Sequence, residues 1–294
     1  MKDEKREVGV LHLGSPKSGR KAFDFLESFR VSNFLEILRP ESPITGRKRA
    51  SRGDLMNKAG GSQTWRGRDF EVVPLYSEAG VATQVLVKGE SGDILLDAGD
   101  GVLRDLMDID YDFNRLKGIL VSHGHFDHVG GIYTLLGFLR MIGRKEALPI
   151  VVPAPGSEVE GMIEIISTYS PGGLPFNAEL RRLKDGDQIE IASTKVRAFK
   201  VIHRGSTTQG ITDPIPAFGY TLQDGERIVY TGDTGYMKAL EREVRGADCA
   251  ILEATHSVDS PEAPEVHLVE KDAIRLGRMA KGYILIHRTP KGWE

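Results

Sequence analysis

Val121-Ser122-His123-Gly124-His125-Phe126-Asp127-His128-Val129-Gly130-Gly131 sets three imidazoles and a carboxylate within a few residues, directly after the apolar run Gly118-Ile119-Leu120. An apolar run that breaks into glycines and polar residues reads as a strand ending in a loop. Imidazole nitrogen and carboxylate oxygen suit zinc and its divalent neighbours, and ligands this close in sequence can converge on ions a few ångströms apart. A solvated His-rich loop that binds metal adventitiously is the plainer alternative. The density of ligand types, the strand before them and the glycine pair after them favour a metal site.

The chain holds eight histidines, and the rest fall in a telling way. His203 ends the β-like segment Val196-Arg197-Ala198-Phe199-Lys200-Val201-Ile202, and His287 ends Tyr283-Ile284-Leu285-Ile286. Between them Arg227-Ile228-Val229-Tyr230-Thr231-Gly232-Asp233 is another apolar strand terminating in an acid, with glycine allowing a sharp turn. Taken singly, each of these residues reads as a cap or a satisfied polar group. Four strand ends with ligand-type residues predict a shared pole.

Through His123-Gly-His125-Phe-Asp127-His128, His203, Asp233 and His287 the sequence resembles the metallo-β-lactamase superfamily. Within it, Pro216-Ala217-Phe218-Gly219-Tyr220, Tyr230-Thr231-Gly232-Asp233-Thr234 and Leu252-Glu253-Ala254-Thr255 resemble the ribonuclease Z branch. The resemblance implies an α/β (α+β) fold, an αββα sandwich of two mixed β-sheets flanked by helices. This domain is expected over residues 70–294, with 1–69 an N-terminal extension of unassigned structure. By resemblance His123, His125 and His203 hold one divalent ion, Asp127, His128 and His287 hold a second, and Asp233 bridges them. Zinc is the default, and manganese or iron also fits such a donor set. A water shared by two cations is acidified enough to act as hydroxide near neutral pH, with Asp127 orienting it. His267, in Pro264-Glu265-Val266-His267-Leu268, resembles the branch's catalytic histidine, which would protonate the leaving group. On the residues alone it also reads as a surface histidine at a helix start. His256 is left between a ligand-orienting and a structural role, and His12 receives none.

The remaining sequence bounds the class. A chain of 294 residues can bury a substantial core. The single cysteine, Cys249, excludes an internal disulfide and any Cys-rich metal site. No apolar run approaches the roughly 20 residues of a membrane helix, and the charged start Met1-Lys2-Asp3-Glu4-Lys5-Arg6-Glu7 lacks a secretory apolar region, so a cytoplasmic protein is expected. A net charge of −3 argues against broad attraction to nucleic acid while leaving room for a local basic face. One candidate is Gly46–Arg68, rich in Lys and Arg, where Trp65 offers a stacking surface for a phosphate-rich ligand. A solvated loop is the alternative there. Gly14–Lys21 lacks the residues a nucleotide phosphate loop requires.

Strands are predicted over Ala82–Lys88, Asp93–Asp97, Leu120–Ser122, Pro149–Pro153, Gln188–Ile191, Lys195–Ile202, Gly219–Leu222, Arg227–Thr231, Ala250–Glu253 and Ile284–Ile286. Helices are predicted over Val102–Met107, Gly131–Arg144, Glu158–Tyr169, Met237–Arg245 and Leu268–Met279. Many ribonuclease Z proteins carry a long tRNA-gripping arm between the positions matching His203 and Asp233. Here those residues are separated by a short span, and Arg204–Pro216 is instead an insertion long enough to form a lip over the metals. The expected activity is phosphodiester hydrolysis, first as an RNA 3′-end processing endonuclease acting on precursor tRNA, with a homodimer as the candidate assembly. The alternatives are a small-molecule or cyclic phosphodiesterase, a lactone, ester or lactam hydrolase, and a non-catalytic metal-binding protein.

Overall fold

A strand that is apolar at every position is buried on both faces, and this chain is rich in such strands. The computed structural model describes residues 64–168, 172–207, 210–257 and 263–290. The readings of Gly14–Lys21, His12 and most of Gly46–Arg68 therefore lie outside the described residues. The first half supplies β1 (Trp65–Arg66), β2 (Phe70–Glu78), β3 (Ala82–Gly89), β4 (Asp93–Leu96), β5 (Leu116–Leu120), β6 (Leu148–Pro153) and β7 (Ala178–Leu183), laid side by side in that order. Pairing is antiparallel from β1 to β4 and parallel from β4 to β7. The second half supplies β8 (Gln188–Ile191), β9 (Thr194–Lys200), a hairpin of β10 (Arg204–Thr207) and β11 (Gly210–Pro214), β12 (Phe218–Asp224), β13 (Glu226–Tyr230), β14 (Cys249–Glu253) and β15 (Tyr283–Ile286). Its sheet runs in the order β15-β14-β13-β12-β9-β8, with the hairpin separate.

Alternation along each strand sorts side chains into three cores. Val85, Val87, Ile94 and Leu96 meet Tyr220, Ile228, Tyr230, Ile251 and Ile284 between the sheets. Leu86 and Leu95, one residue out of phase, face outward onto helices Val102–Asp108, Ile132–Met141 and Ser157–Thr168. On the far side Val229, Ala250, Leu252 and Leu285 pack under helices Lys238–Val244 and Glu270–Gly277. The result is the expected αββα sandwich.

Four strands carry weak sequence signals. In β2 Pro74 sits where the pairing with β3 slips by a residue, so a proline that argues against a strand is accommodated at an irregularity. β7 is a polar edge strand in which only Leu183 is buried. The Arg204–Pro216 insertion contains the β10–β11 hairpin. The last helix is shorter than its periodicity suggests, because Leu268 and Val269 are buried ahead of it and Val269 is extended, bridging to His256. Trp65 does not present a free stacking face: it pairs into the sheet edge through β1 and packs against the inter-sheet core.

Gly219 lies in β12 where a Cβ would stand 2.2 Å from the Phe199 ring and 2.8 Å from the Tyr230 carbonyl. Gly219→Ala should therefore cost about 1–3 kcal/mol by overpacking, read as a lowered urea midpoint. An unchanged midpoint would contradict this packing.

Candidate metal centre

Strand direction decides where the functional side chains emerge. β4 and β5 run parallel, as do β13, β14 and β15, and β9 shares the direction of β13 because both pair antiparallel with β12. Asp97, His123, His203, Asp233, Glu253 and His287 all lie at or just beyond the C-terminal ends of these strands. Hydrogen bonds from Phe218 N–H to the Ser122 carbonyl (2.9 Å) and from the Tyr220 hydroxyl to the Val121 carbonyl (2.7 Å) hold the two sheets together at this edge. His125 precedes the short helix Phe126–Val129, which carries Asp127 and His128 inward while Phe126 stays 68% exposed.

All seven residues predicted as ligands come together. His125 Nδ1 lies 2.9 Å from His123 Nε2 and 3.1 Å from His203 Nε2. In a second group His287 Nε2 lies 3.3 Å from His128 Nε2 and 3.4 Å from Asp127 Oδ2. Asp233 Oδ2 is 3.3 Å from His128 Nε2 and 3.2 Å from His287 Nε2, and Asp233 is also close enough to share an ion with His123 or His203. A tetrahedral zinc with bonds of about 2.0–2.1 Å separates its ligand atoms by roughly 3.3 Å, so these spacings fit divalent cations.

The outward nitrogens fix the inward ones. Asp97 Oδ2 accepts from His128 Nδ1 at 2.7 Å and from the Ser122 hydroxyl at 2.7 Å, and it also accepts from the Tyr230 hydroxyl. Having given its proton to Asp97, the Ser122 hydroxyl accepts from His123 Nδ1 at 3.0 Å. His203 Nδ1 donates to the Val266 carbonyl at 2.8 Å. Thr255 donates to Glu253 Oε2 (2.6 Å) and accepts from His287 Nδ1 (2.8 Å). Each of these four rings thus turns Nε2 into the site, as orienting partners of metal-binding histidines commonly arrange.

Electrostatics separate the two groups. Burial, with neighbouring imidazoles adding to it, pushes His203 down to about 4 and His123 well below its ordinary value. Burial also acts against a charge on His128, but the Asp233 and Asp97 carboxylates outweigh it and hold that ring well above the ordinary histidine range. At Asp127 burial opposes ionisation, yet the hydrogen bond from His287 and the nearby His128 bring the carboxyl to about 2. The same balance, with His287 and His128 dominant over burial, holds Asp233 well below the carboxylate range.

His267 stands at the edge of the cluster, its ring stacked on His287 at 5.3 Å between centroids. Its Nδ1 donates to Glu253 Oε1 at 3.0 Å. Burial lowers its proton affinity, but Glu253 and Asp233 more than offset this and raise it to about 9. His256 sits 5.7 Å from the His267 ring and pairs through its backbone with Val269. The sequence reading assigned no role to Asp97, Ser122, Tyr230, Thr255 or Glu253. Asp97 and Glu253 carried the signal already used for Asp233, an acid at the end of an apolar strand. Tyr230 and Thr255 entered only as members of the quoted branch motifs and Ser122 only within the histidine run, with nothing local to mark them as orienting groups.

Residues 93–287 match the family model of the β-lactamase superfamily domain. A ribonuclease Z from Bradyrhizobium sp. (strain ORS 278) is 28% identical over 257 residues, covering 70% of this chain and 85% of that protein. In fold, the chain is similar to human short-form tRNase Z (22% identity, TM-score 0.59, 75% of this chain and 93% of that one). It is also similar to the metallo-β-lactamase fold protein YhfI from Bacillus subtilis (20% identity, TM-score 0.62, 76% and 88%).

Two measurements test this arrangement. A cation can bind His128 Nε2 only after its proton leaves, whereas His123 and His203 are already neutral at pH 7. Zinc titration in two buffers of different ionisation enthalpy should therefore show proton release confined to the step that engages His128, and release in neither step would contradict the raised affinity. Asp97→Asn should weaken cation binding by roughly 10–100-fold, read by competition with a chelating dye.

Proposed function

The chain belongs to the β-lactamase superfamily as a ribonuclease Z-like, metal-dependent hydrolase, and on that premise we propose that it hydrolyses phosphodiester bonds in RNA with two divalent cations, zinc by default. His123, His125 and His203 would hold one, Asp127, His128 and His287 the other, and Asp233 would be shared. The observation that carries this reading is the position of Asp233, within ligand distance of both groups. Charge supports bound cations: Asp97, Asp127, Asp233 and Glu253 are buried carboxylates, and the protonated His267 facing Glu253 offsets only one of them. Cations there would supply Lewis acidity and an acidified water.

The protein's own groups complete the reaction. Asp127, anionic and held by the Gly80 N–H at 3.0 Å, is placed to accept a hydrogen bond from the attacking water and orient it. As the water oxygen bonds to phosphorus and the P–O bond to the leaving group breaks, the departing oxygen needs a proton. His267 carries one: Glu253 fixes Nδ1, leaving Nε2 as the acid. Phe126, exposed between His125 and Asp127, offers a face on which a base can stack.

RNA processing, with precursor tRNA as substrate, is supported by the curated relatives named ribonuclease Z. A small-molecule phosphodiesterase is the second reading, and the short β10–β11 hairpin between His203 and Asp233 favours it. The deciding experiment offers the zinc-loaded protein precursor tRNA, small phosphodiesters, a phosphomonoester, a lactone and a lactam. Diesters should be cleaved, and turnover of lactone or lactam alone would overturn the proposal. His267→Ala should slow diesters with alkoxide leaving groups by about 10²–10⁴-fold and affect p-nitrophenyl esters far less. Equal losses on both would remove the acid role.

A further inference from the structure

Beside His123 and His125 the site wall opens into a cavity of about 150 Å³. Val121 and Val152, from the ends of the neighbouring strands β5 and β6, form its floor with Val159 from the first turn of helix Ser157–Thr168. Ile215 closes another side, held where its N–H donates to the His203 carbonyl at 3.1 Å. The insertion after His203 therefore contributes a wall as well as a hairpin. A cavity of about 150 Å³ with such walls takes one ring the size of benzene, so only the six-membered ring of a purine, the ring that carries the N–H edge, would enter it.

One charged group borders this apolar space. Glu158 lies over Gly124, so close that a Cβ on Gly124 would meet its carboxylate at 2.6–3.0 Å. Glycine between His123 and His125 is thus what lets the acid approach the site. Among the described residues Glu158 makes no ion pair or hydrogen bond, unlike Glu160 two positions on, which pairs with Arg182 at 2.6 Å. An ionised carboxylate only accepts hydrogen bonds and repels phosphate. Glu158 is exposed at the cavity edge, and of the parts of an RNA chain only a base edge with N–H donors complements it, while the phosphate stays with the histidines.

Resting on the phosphodiester reading, we propose that this cavity is a nucleobase subsite in which Glu158 reads the base edge and favours guanine. Guanine offers two adjacent N–H groups that match one carboxylate. Adenine and cytosine offer a single amino group, and uracil has one N–H flanked by carbonyl oxygens that face the acid unfavourably. A bidentate pair of this kind separates bases by roughly 5- to 100-fold.

Calorimetry of the zinc-loaded full chain with GMP, AMP, CMP and UMP tests the subsite without requiring turnover, and inhibition of bis(p-nitrophenyl) phosphate hydrolysis by the same nucleotides tests it at the working site. GMP should bind about 10-fold or more tighter than UMP, and Glu158→Gln should bring that ratio close to one. Ile215→Phe, which fills the cavity from a half-buried position, should weaken all four nucleotides while inorganic phosphate binding changes less. Equal affinity for GMP and UMP, or a GMP preference that survives Glu158→Gln, overturns the subsite. Diester cleavage with a flat nucleotide ratio defeats this inference alone. A GMP preference abolished by Glu158→Gln in a protein that cleaves no diester leaves the subsite standing and defeats the phosphodiester reading.

Discussion

The buried carboxylate of Asp97 is the point on which the rest of the site depends. It accepts from the Ser122 backbone N–H (2.6 Å) and hydroxyl, from His128 Nδ1 and from Tyr230, so it joins β4, the loop after β5 and the inner face of the opposite sheet. A carboxylate without exposure is tolerated only when its lone pairs are filled, and here four donors fill them. Its backbone takes a positive φ of 55°, an unfavourable conformation for a non-glycine residue, which turns the chain out of β4 toward the histidine loop. One residue thus spaces the sheets at this edge and aims two rings.

Glu253 plays a comparable part on the other side of the cluster. It accepts from the Thr234 N–H at 2.8 Å, from Thr255 and from His267, so it holds the turn after β13 and the acid candidate in one network. The two carboxylates divide the imidazoles by partner. Rings facing a carboxylate, His128 and His267, retain a proton, whereas rings facing a hydroxyl or a carbonyl, His123 and His203, are held neutral by burial. The same residue type therefore occupies two charge states within a few ångströms.

The segment after His203 shapes the approach to this centre. Its hairpin packs against His125, where a Cβ on Gly205 would lie 3.4 Å from the ring, and Arg204 ties it to Glu265 at 2.9 Å, beside the short helix Ala263–Val266. On the phosphodiester reading, a short, locally anchored lip would leave recognition to surfaces close to the scissile bond. That places weight on the cavity wall at Ile215 and on the exposed Phe126.

By itself the sequence determined the superfamily, the order of most strands and helices, and the seven residues that converge. Apolar strands ending in His or Asp are a local pattern, and period-two burial follows directly from side-chain alternation. It left β1, β2, β7, β10 and β11 unread, because a proline at an irregular register, a polar edge strand and very short or polar strands obscure that alternation, and it misplaced Trp65, whose environment is set by a strand pairing outside its own neighbourhood. Only the tertiary structure decided which acid orients which ring, that Glu158 reaches Gly124, and that Ile215 walls a cavity. The physical reason is sequence separation: Asp97 meets Tyr230 across 133 positions, and His128 meets His287 across 159. Such contacts follow from the packing of two sheets and leave no periodic trace along the chain.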